Sequence, residues 1–335
     1  RDPDAEGAEG MSASKMRAAV KDNKFTQFAQ GLPKKVSNAD AKSIFNSVRK
    51  GMGLKEQKQF KNHVQLKSVS NNREDLDSIK SDFDIVYILA AVHKDDISDY
   101  TEYYRTNCNG LENVINFCMN NRIDRIVYFS TAAVYGDTFF DAHEEAKLSP
   151  QSHYGKSKVK AEKKLIDLAS KYKKELKIIR PSVVFGPGSS SNMNRLIHYV
   201  SMNKFFIVGK GDNFKSICYV ENLVNFAIYV SKMTEKNIDI FNYFDYPDYS
   251  IRQICDKISL ISNSRKVKNI PYLIAYFGVS IIQSFYFILN RKATINIDRI
   301  RKSMSNTSLS HKKLDSLDFK SKYNLNDSIY KTLNR

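Results

Sequence analysis

Three short apolar runs do most to constrain what this 335-residue chain can fold into. They are Asp84-Ile85-Val86-Tyr87-Ile88-Leu89-Ala90-Ala91, Arg125-Ile126-Val127-Tyr128-Phe129 and Leu176-Lys177-Ile178-Ile179-Arg180. Each is a continuous apolar stretch rather than an alternation of apolar and polar residues. A strand of that kind is buried on both faces, as in a parallel sheet covered by helices. The runs predict strands over Ile85–Leu89, Ile126–Phe129 and Lys177–Ile179, and the text between them reads as helices over Tyr104–Asn120 and Ser157–Tyr172. This strand–helix alternation, over residues 58–235, predicts an α/β fold with a doubly wound parallel sheet. Such sheets bind ligands beyond the carboxyl ends of their strands. That directs attention to Ser130-Thr131-Ala132-Ala133-Val134-Tyr135-Gly136 and to Pro181-Ser182-Val183-Val184-Phe185-Gly186-Pro187-Gly188, the second read as a loop from its Gly and Pro residues.

A proton-transfer device stands between these two segments. Tyr154-Gly155-Lys156-Ser157-Lys158 sets a phenol and an ammonium four residues apart, which on a helix places them on one face. A free Tyr has a pKa of about 10, so half-ionisation at neutral pH requires a fall of about three, or about 4 kcal/mol. One ammonium about 4 Å away, at an effective dielectric near 20, supplies roughly that much. Desolvation opposes the fall, so a second positive group is needed. A hydroxyl just past a strand end, such as Thr131, could donate to a substrate oxygen while Tyr154 removes that oxygen's proton.

These pieces, with Asn107-Cys108-Asn109-Gly110, Ala161-Glu162, Gly209-Lys210-Gly211-Asp212 and Tyr219-Val220-Glu221-Asn222, follow one another in a familiar order. From about residue 60 or 80 to 335 the chain resembles an extended short-chain dehydrogenase/reductase of the NAD-dependent epimerase/dehydratase family. The resemblance implies a Rossmann-like domain and assigns roles. Thr131, Tyr154 and Lys158 match the catalytic hydroxyl, base and lysine, and Lys158 would also contact the cofactor ribose. Asn107 would lie on a helix lining the cleft as a further catalytic residue, with a helix-surface amide as the competing reading. Ala90 and Ala91 would pass close to the cofactor, and Pro181 and Val184 would fall in the loop at its nicotinamide end. Ser130, Ala132 and Lys215 would face the substrate, Lys215 meeting a phosphate where the family often has Arg. The implied cofactor is NAD, with NADP left open, and its oxidised ring would be the second positive group that Tyr154 needs. The implied chemistry is hydride exchange on a sugar, as in a 4-epimerase. Ala132 and Ala133 stand where a dehydratase would carry an Asp-Glu pair, which argues against 4,6-dehydration. Arg180-Pro181-Ser182-Val183 has Val where Asn is common, and looks like the branch handling polysaccharide precursors, lipid-linked sugars and sterol-type substrates.

The front of the chain departs from this pattern. The family opens with a Gly-xx-Gly-xx-Gly turn that lets backbone approach a pyrophosphate at a helix N-terminus. Family spacing would put it roughly 70 residues before Ala90, where Lys15-Met16-Arg17-Ala18-Ala19-Val20-Lys21 has no glycine. Met11-Ser12-Ala13-Ser14-Lys15-Met16-Arg17 instead resembles a motif late in nucleotidylyltransferases, here without their His-x-Gly-His partner. Residues 1–57 are accordingly expected to form a helical appendage like the tail of a bacteriophage nucleotidylyltransferase. Residues 58–185 would be a partial NAD-binding domain and 186–335 mainly a small substrate subdomain. Three readings follow. One is a nucleotide-sugar epimerase-type oxidoreductase of polysaccharide or O-antigen precursor synthesis. The second is a non-catalytic remnant of that family, and the third a dehydrogenase or reductase on a lipid-linked sugar or sterol-like substrate. A nucleotidylyltransferase would need the absent His-x-Gly-His.

Cys108, Cys118, Cys218 and Cys255 sit among apolar neighbours without metal-ligand spacing and read as reduced core residues of a cytoplasmic protein. No metal set stands out. The net charge of +17 suits nucleic acid or an anionic membrane, but nucleic-acid recognition motifs are absent. From 261 to 335 the chain carries 14 Lys and Arg against 4 Asp and Glu. Within that region Pro271–Leu289 is uncharged over 19 residues, between Lys266, Lys268, Arg291 and Lys292. A buried helix pair, a helix lying in the inner membrane surface and a membrane span are the three readings of that segment. A homodimer is left open.

Overall fold

The computed structural model describes residues 83–89, 91, 100–288 and 297–334, all within one compact unit spanning Gln65–Arg335. The first 57 residues, with the expected appendage and the site of the missing glycine turn, lie outside the described residues, as does Ala90. In chain order the elements are β1 (Ile85–Ile88), α1 (Tyr100–Tyr104), a π-helical turn (Arg105–Asn109), α2 (Gly110–Asn120), β2 (Arg125–Phe129), β3 (Phe139–Ala142), α3 (His153–Lys171), β4 (Glu175–Pro181), β5 (Val183–Phe185) and α4 (Asn192–Ser201). Then come β6 (Phe206–Val208), β7 (Phe214–Lys215), β8 (Ile217–Tyr219), α5 (Val220–Val230), β9 (Ile238–Tyr243), β10 (Tyr249–Ser250) and α6 (Ile251–Ile261). The chain continues through β11 (Lys268–Ile270), α7 (Tyr272–Ile288), α8 (Ile297–Met304), β12 (Thr307–Leu309), α9 (Lys312–Asp315) and α10 (Leu325–Leu333).

The central sheet runs β1-β2-β4-β9 with every pair parallel. Its strands bury both faces because successive side chains alternate between two helical layers. Ile126 and Tyr128 of β2 pack with Leu111, Ile115, Ala161 and Leu165 of α2 and α3. Val127, between them, packs with Phe226 and Val230 of α5 and Phe241 of β9. The fold is therefore Rossmann-like, with helices on both faces of a parallel sheet. The residues after β4 build a second core around Phe185, Ile197, Ile217, Ile254 and Ile329, where α4, α6 and α10 meet the paired strands β5 and β8.

Several boundaries differ from the sequence expectation. The helix read as Ser157–Tyr172 starts at His153, because Ser152 caps it and its hydroxyl oxygen accepts from the Gly155 amide at 3.0 Å. Tyr154 thus lies in the first helical turn. The helix expected over Tyr104–Asn120 is broken by the π turn that carries Asn107. Pro181 belongs to β4 and Val184 to β5, not to a loop. Pro181 is tolerated at the strand end, since β2 stops opposite Ile179 and leaves no neighbour on that side for a proline to fail. The apolar segment forms one helix, α7, and no helix among the described residues is long and apolar enough to cross a membrane.

Candidate active site

The site is built where the first turn of α3 meets the end of β2. Gly155 sets the approach: a Cβ there would stand 2.8 Å from the Ala133 carbonyl oxygen and 3.0 Å from the Pro150 Cβ. The absence of a side chain lets the turn bearing Tyr154 pack directly on the segment that follows Thr131. Thr131 itself is extended and caps the short 3-10 turn Ala132–Tyr135, its Oγ1 accepting from the Ala133 amide at 3.2 Å. That bond uses the oxygen and leaves the hydroxyl hydrogen as a donor. Thr131 and Tyr154 are both half-buried.

Lys158, one turn after Tyr154, is buried to 1% exposure. Its Nζ donates to the Phe129 carbonyl at 2.6 Å, on the last residue of β2, and lies 4.3 Å from the Tyr128 ring centroid. The ammonium thereby hooks α3 to the strand end two residues before Thr131. Burial pushes its pKa down to about 7, and the charge of Glu162 opposes that shift.

Behind this surface runs a buried polar network. Arg180 and Glu162 form a bidentate pair, Nε to Oε1 at 3.0 Å and a terminal nitrogen to Oε2 at 2.7 Å, with both side chains 3% exposed. The other terminal nitrogen of Arg180 donates to the Tyr135 hydroxyl and the Glu144 carbonyl, both at 2.8 Å. The Tyr135 hydroxyl donates onward to Asn242 Oδ1 at 2.8 Å. Burial raises the Tyr135 phenol, against the lowering effect of Arg180, so it remains a neutral link. The network ties α3, β4, β9 and the Thr131 turn together. Arg180, Glu162, Tyr135, Glu144 and Asn242 carried no assigned role from the sequence. The available signals were an Arg closing an apolar strand and a Glu one turn beyond Lys158.

The remaining expected site residues fall in varied places. Ser130 is buried and donates its hydroxyl to Glu162 Oε1, so it serves the network rather than facing a substrate as expected. Asn107 is 2% exposed, not a helix-surface amide, and its Nδ2 donates to the Ser157 hydroxyl at 2.9 Å. Ser157 in turn donates to the Tyr154 carbonyl at 2.8 Å. Asn107 therefore braces the turn between Tyr154 and Lys158. Ala132 and Pro181 are buried, and Ala91 and Val184 half-buried. Lys215, expected to meet a phosphate, donates to the carbonyls of Ser305 at 2.6 Å and Lys302 at 3.1 Å, capping the end of α8. Burial lowers its pKa to about 8. Among the described residues no group of three His, Cys, Asp or Glu side chains is placed to hold a metal.

A parallel sheet with a Tyr-xxx-Lys helix and a Thr-capped turn at its carboxyl edge defines an extended short-chain dehydrogenase/reductase. Comparison with known proteins narrows the class. Residues 40–242 match the NAD dependent epimerase/dehydratase family. An N-acetyl-alpha-D-glucosaminyl-diphospho-ditrans,octacis-undecaprenol 4-epimerase of Escherichia coli O157:H7 is 32% identical over 265 residues, covering 78% of this chain and 80% of that protein. A UDP-glucose 4-epimerase of Vibrio cholerae is 26% identical over 183 residues, 52% of this chain and 56% of its own. Among solved structures, the UDP-glucuronic acid 4-epimerase of Bacillus cereus in complex with NAD superposes with a TM-score of 0.59 at 19% identity, over 86% of this chain and 84% of that one. The chain belongs to the NAD dependent epimerase/dehydratase family. The family match begins at residue 40, inside the stretch read as an appendage, and these matches lend no support to the nucleotidylyltransferase resemblance.

Proposed function

We propose that this chain is an NAD-dependent 4-epimerase acting on the sugar of a polyprenyl-diphosphate-linked precursor, at the inner face of the membrane where such a lipid is held. The observation that carries the catalytic reading is Lys158, an ammonium buried one helical turn from Tyr154 and fixed to the strand end beside Thr131. A protonated Lys158 in that position favours the ionised form of a nearby phenol through its charge, which is what a base at Tyr154 requires. Tyr154 takes the proton of a sugar hydroxyl, and Thr131 donates a hydrogen bond to the same oxygen. The lipid-linked substrate is supported by the 32% identity to the undecaprenol-linked sugar epimerase and by Val183, exposed and without a hydrogen-bonding side chain.

The carboxyl edge fits a nicotinamide cofactor at its reactive end. Ser182, between Pro181 and Val183, has a buried hydroxyl oxygen without a partner among the described residues. The small side chain of Ala91 follows β1 on the same edge. Lys158 and Ser182 would hold the ribose and nicotinamide end, and the cofactor would supply a reversible hydride acceptor. The absent glycine fingerprint favours a second reading, a chain that keeps the fold without turnover. Titration with NAD and, separately, NADP by calorimetry distinguishes the two. Saturable NAD binding is expected; no binding at millimolar NAD would leave the non-catalytic reading standing.

A further inference from the structure

Helix α7 turns a row of large apolar side chains to water. Leu273, Ile274, Phe277, Ile281 and Ile282 are all exposed, from 42% for Ile282 to 70% for Ile281. At 100° per residue they share one side of the helix. The opposite side, turned toward the protein, carries Val279, which is buried, and Tyr272, Tyr276, Ser280 and Gln283, all partly covered. Five large apolar side chains therefore face outward, with Ser284 the exposed polar residue beside them. The five outward residues span about 14 Å along the axis. Phe206 is 51% exposed and lies opposite Lys268 in the β6–β11 pair that leads into α7.

Exposed cations border this apolar face. Arg265, Lys266 and Lys268 surround Phe206 on the β6–β11 pair that leads into α7, and Arg301 and Lys302 lie on α8, which packs against it, Lys302 paired with Asp137 at 3.1 Å. The helix itself has no charged residue. An apolar stripe bounded by cations matches the chemistry of an anionic bilayer, in which acyl chains lie beneath negative headgroups. It is a poor match to a second copy of the chain, since a two-fold contact through α7 would bring its bordering cations together without carboxylates on the helix to offset them.

We propose that the outward face of α7, with Phe206 and the cations of the β6–β11 end, is a docking surface for an anionic phospholipid bilayer. The inference deepens the placement of the enzyme at the membrane and rests on that reading for its purpose, not for its test.

The test is co-sedimentation of the full chain with vesicles of phosphatidylcholine alone and with phosphatidylglycerol added, at low and high salt. The vesicles contain no lipid-linked sugar, so binding reports the surface and not the active site. Binding to the anionic vesicles is expected, weakening with salt. The F277E/I281E variant should lose it, and K266E/K268E should lower the apparent affinity at least about tenfold. Both pairs are exposed, and circular dichroism should show an unchanged fold. Sedimentation velocity of the same proteins supplies the second readout. Equal vesicle binding by wild type and F277E/I281E would overturn the proposal. So would an F277E/I281E variant that changes from dimer to monomer while wild type ignores vesicles, which would make the face a contact between copies. Epimerase activity on detergent-dispersed substrate is scored separately, so failure of the surface and failure of the catalytic reading are distinguishable.

Discussion

Replacing Lys158 with Met tests the electrostatics of the site in a way that does not require substrate. The ammonium is fully buried, and its pKa falls from an ordinary 10.5 to about 7. In the window between those values the unfolded chain holds a proton that the folded chain has released, so folding is penalised by an amount that shrinks as pH rises. Below pH 7 the whole penalty applies, about 5 kcal/mol if the shift is taken at face value. Met cannot titrate and carries no such penalty, although it forfeits the bond to the Phe129 carbonyl, a loss of about 1 kcal/mol that offsets the whole curve. All other ionisable groups are common to both proteins. The difference in unfolding free energy between wild type and K158M should therefore change by about 2.5 kcal/mol between pH 6 and pH 9, with wild type gaining as pH rises. Urea unfolding followed by circular dichroism across that range measures it. Parallel profiles for the two proteins would refute the lowered pKa of Lys158 and the burial argument behind it.

Three further substitutions probe the rest of the site. Y154F should lower kcat at least about 100-fold with little change in thermal midpoint, as removal of a general base does. G155A should destabilise by about 1–3 kcal/mol, because its methyl group would press on the Ala133 carbonyl, and steady-state assays should show kcat falling more than KM rises. E162Q should lower the unfolding free energy by about 3–5 kcal/mol in urea titrations, since it strips the carboxylate from buried Arg180 and weakens the acceptor for Ser130.

Three of the four strands of the sheet were legible in the sequence because strands buried on both faces leave continuous apolar runs, and β1, β2 and β4 each contain the run predicted for them, to within one residue. By contrast β9, Ile-Asp-Ile-Phe-Asn-Tyr, is interrupted by polar residues and lies beyond the stretch read as alternating strands and helices. Tyr154 and Lys158 were legible because four-residue spacing is a local property of a helix. Contacts between distant residues were not. Arg180 and Glu162 are 18 residues apart and Lys215 meets carbonyls 87 and 90 residues away, so neither pairing leaves a periodic trace. The sequence of α7 is apolar nearly all round, which hides the face it turns outward; only packing against the rest of the subdomain decides that. The start of α3 at His153 could have been found, since Pro150 followed by Ser152 is a breaker and a cap.

The central claim is that Tyr154 and Lys158 serve a hydride exchange at a sugar carbon. The direct measurement incubates the full chain and NAD with undecaprenyl-diphosphate-linked N-acetylglucosamine deuterated at C4, and follows the sugar by mass spectrometry and chromatography. Interconversion of the gluco and galacto forms is predicted, with deuterium retained at C4 and with Y154F inactive. Absence of interconversion in NAD-saturated protein, loss of the label to solvent, or full activity in Y154F would contradict it.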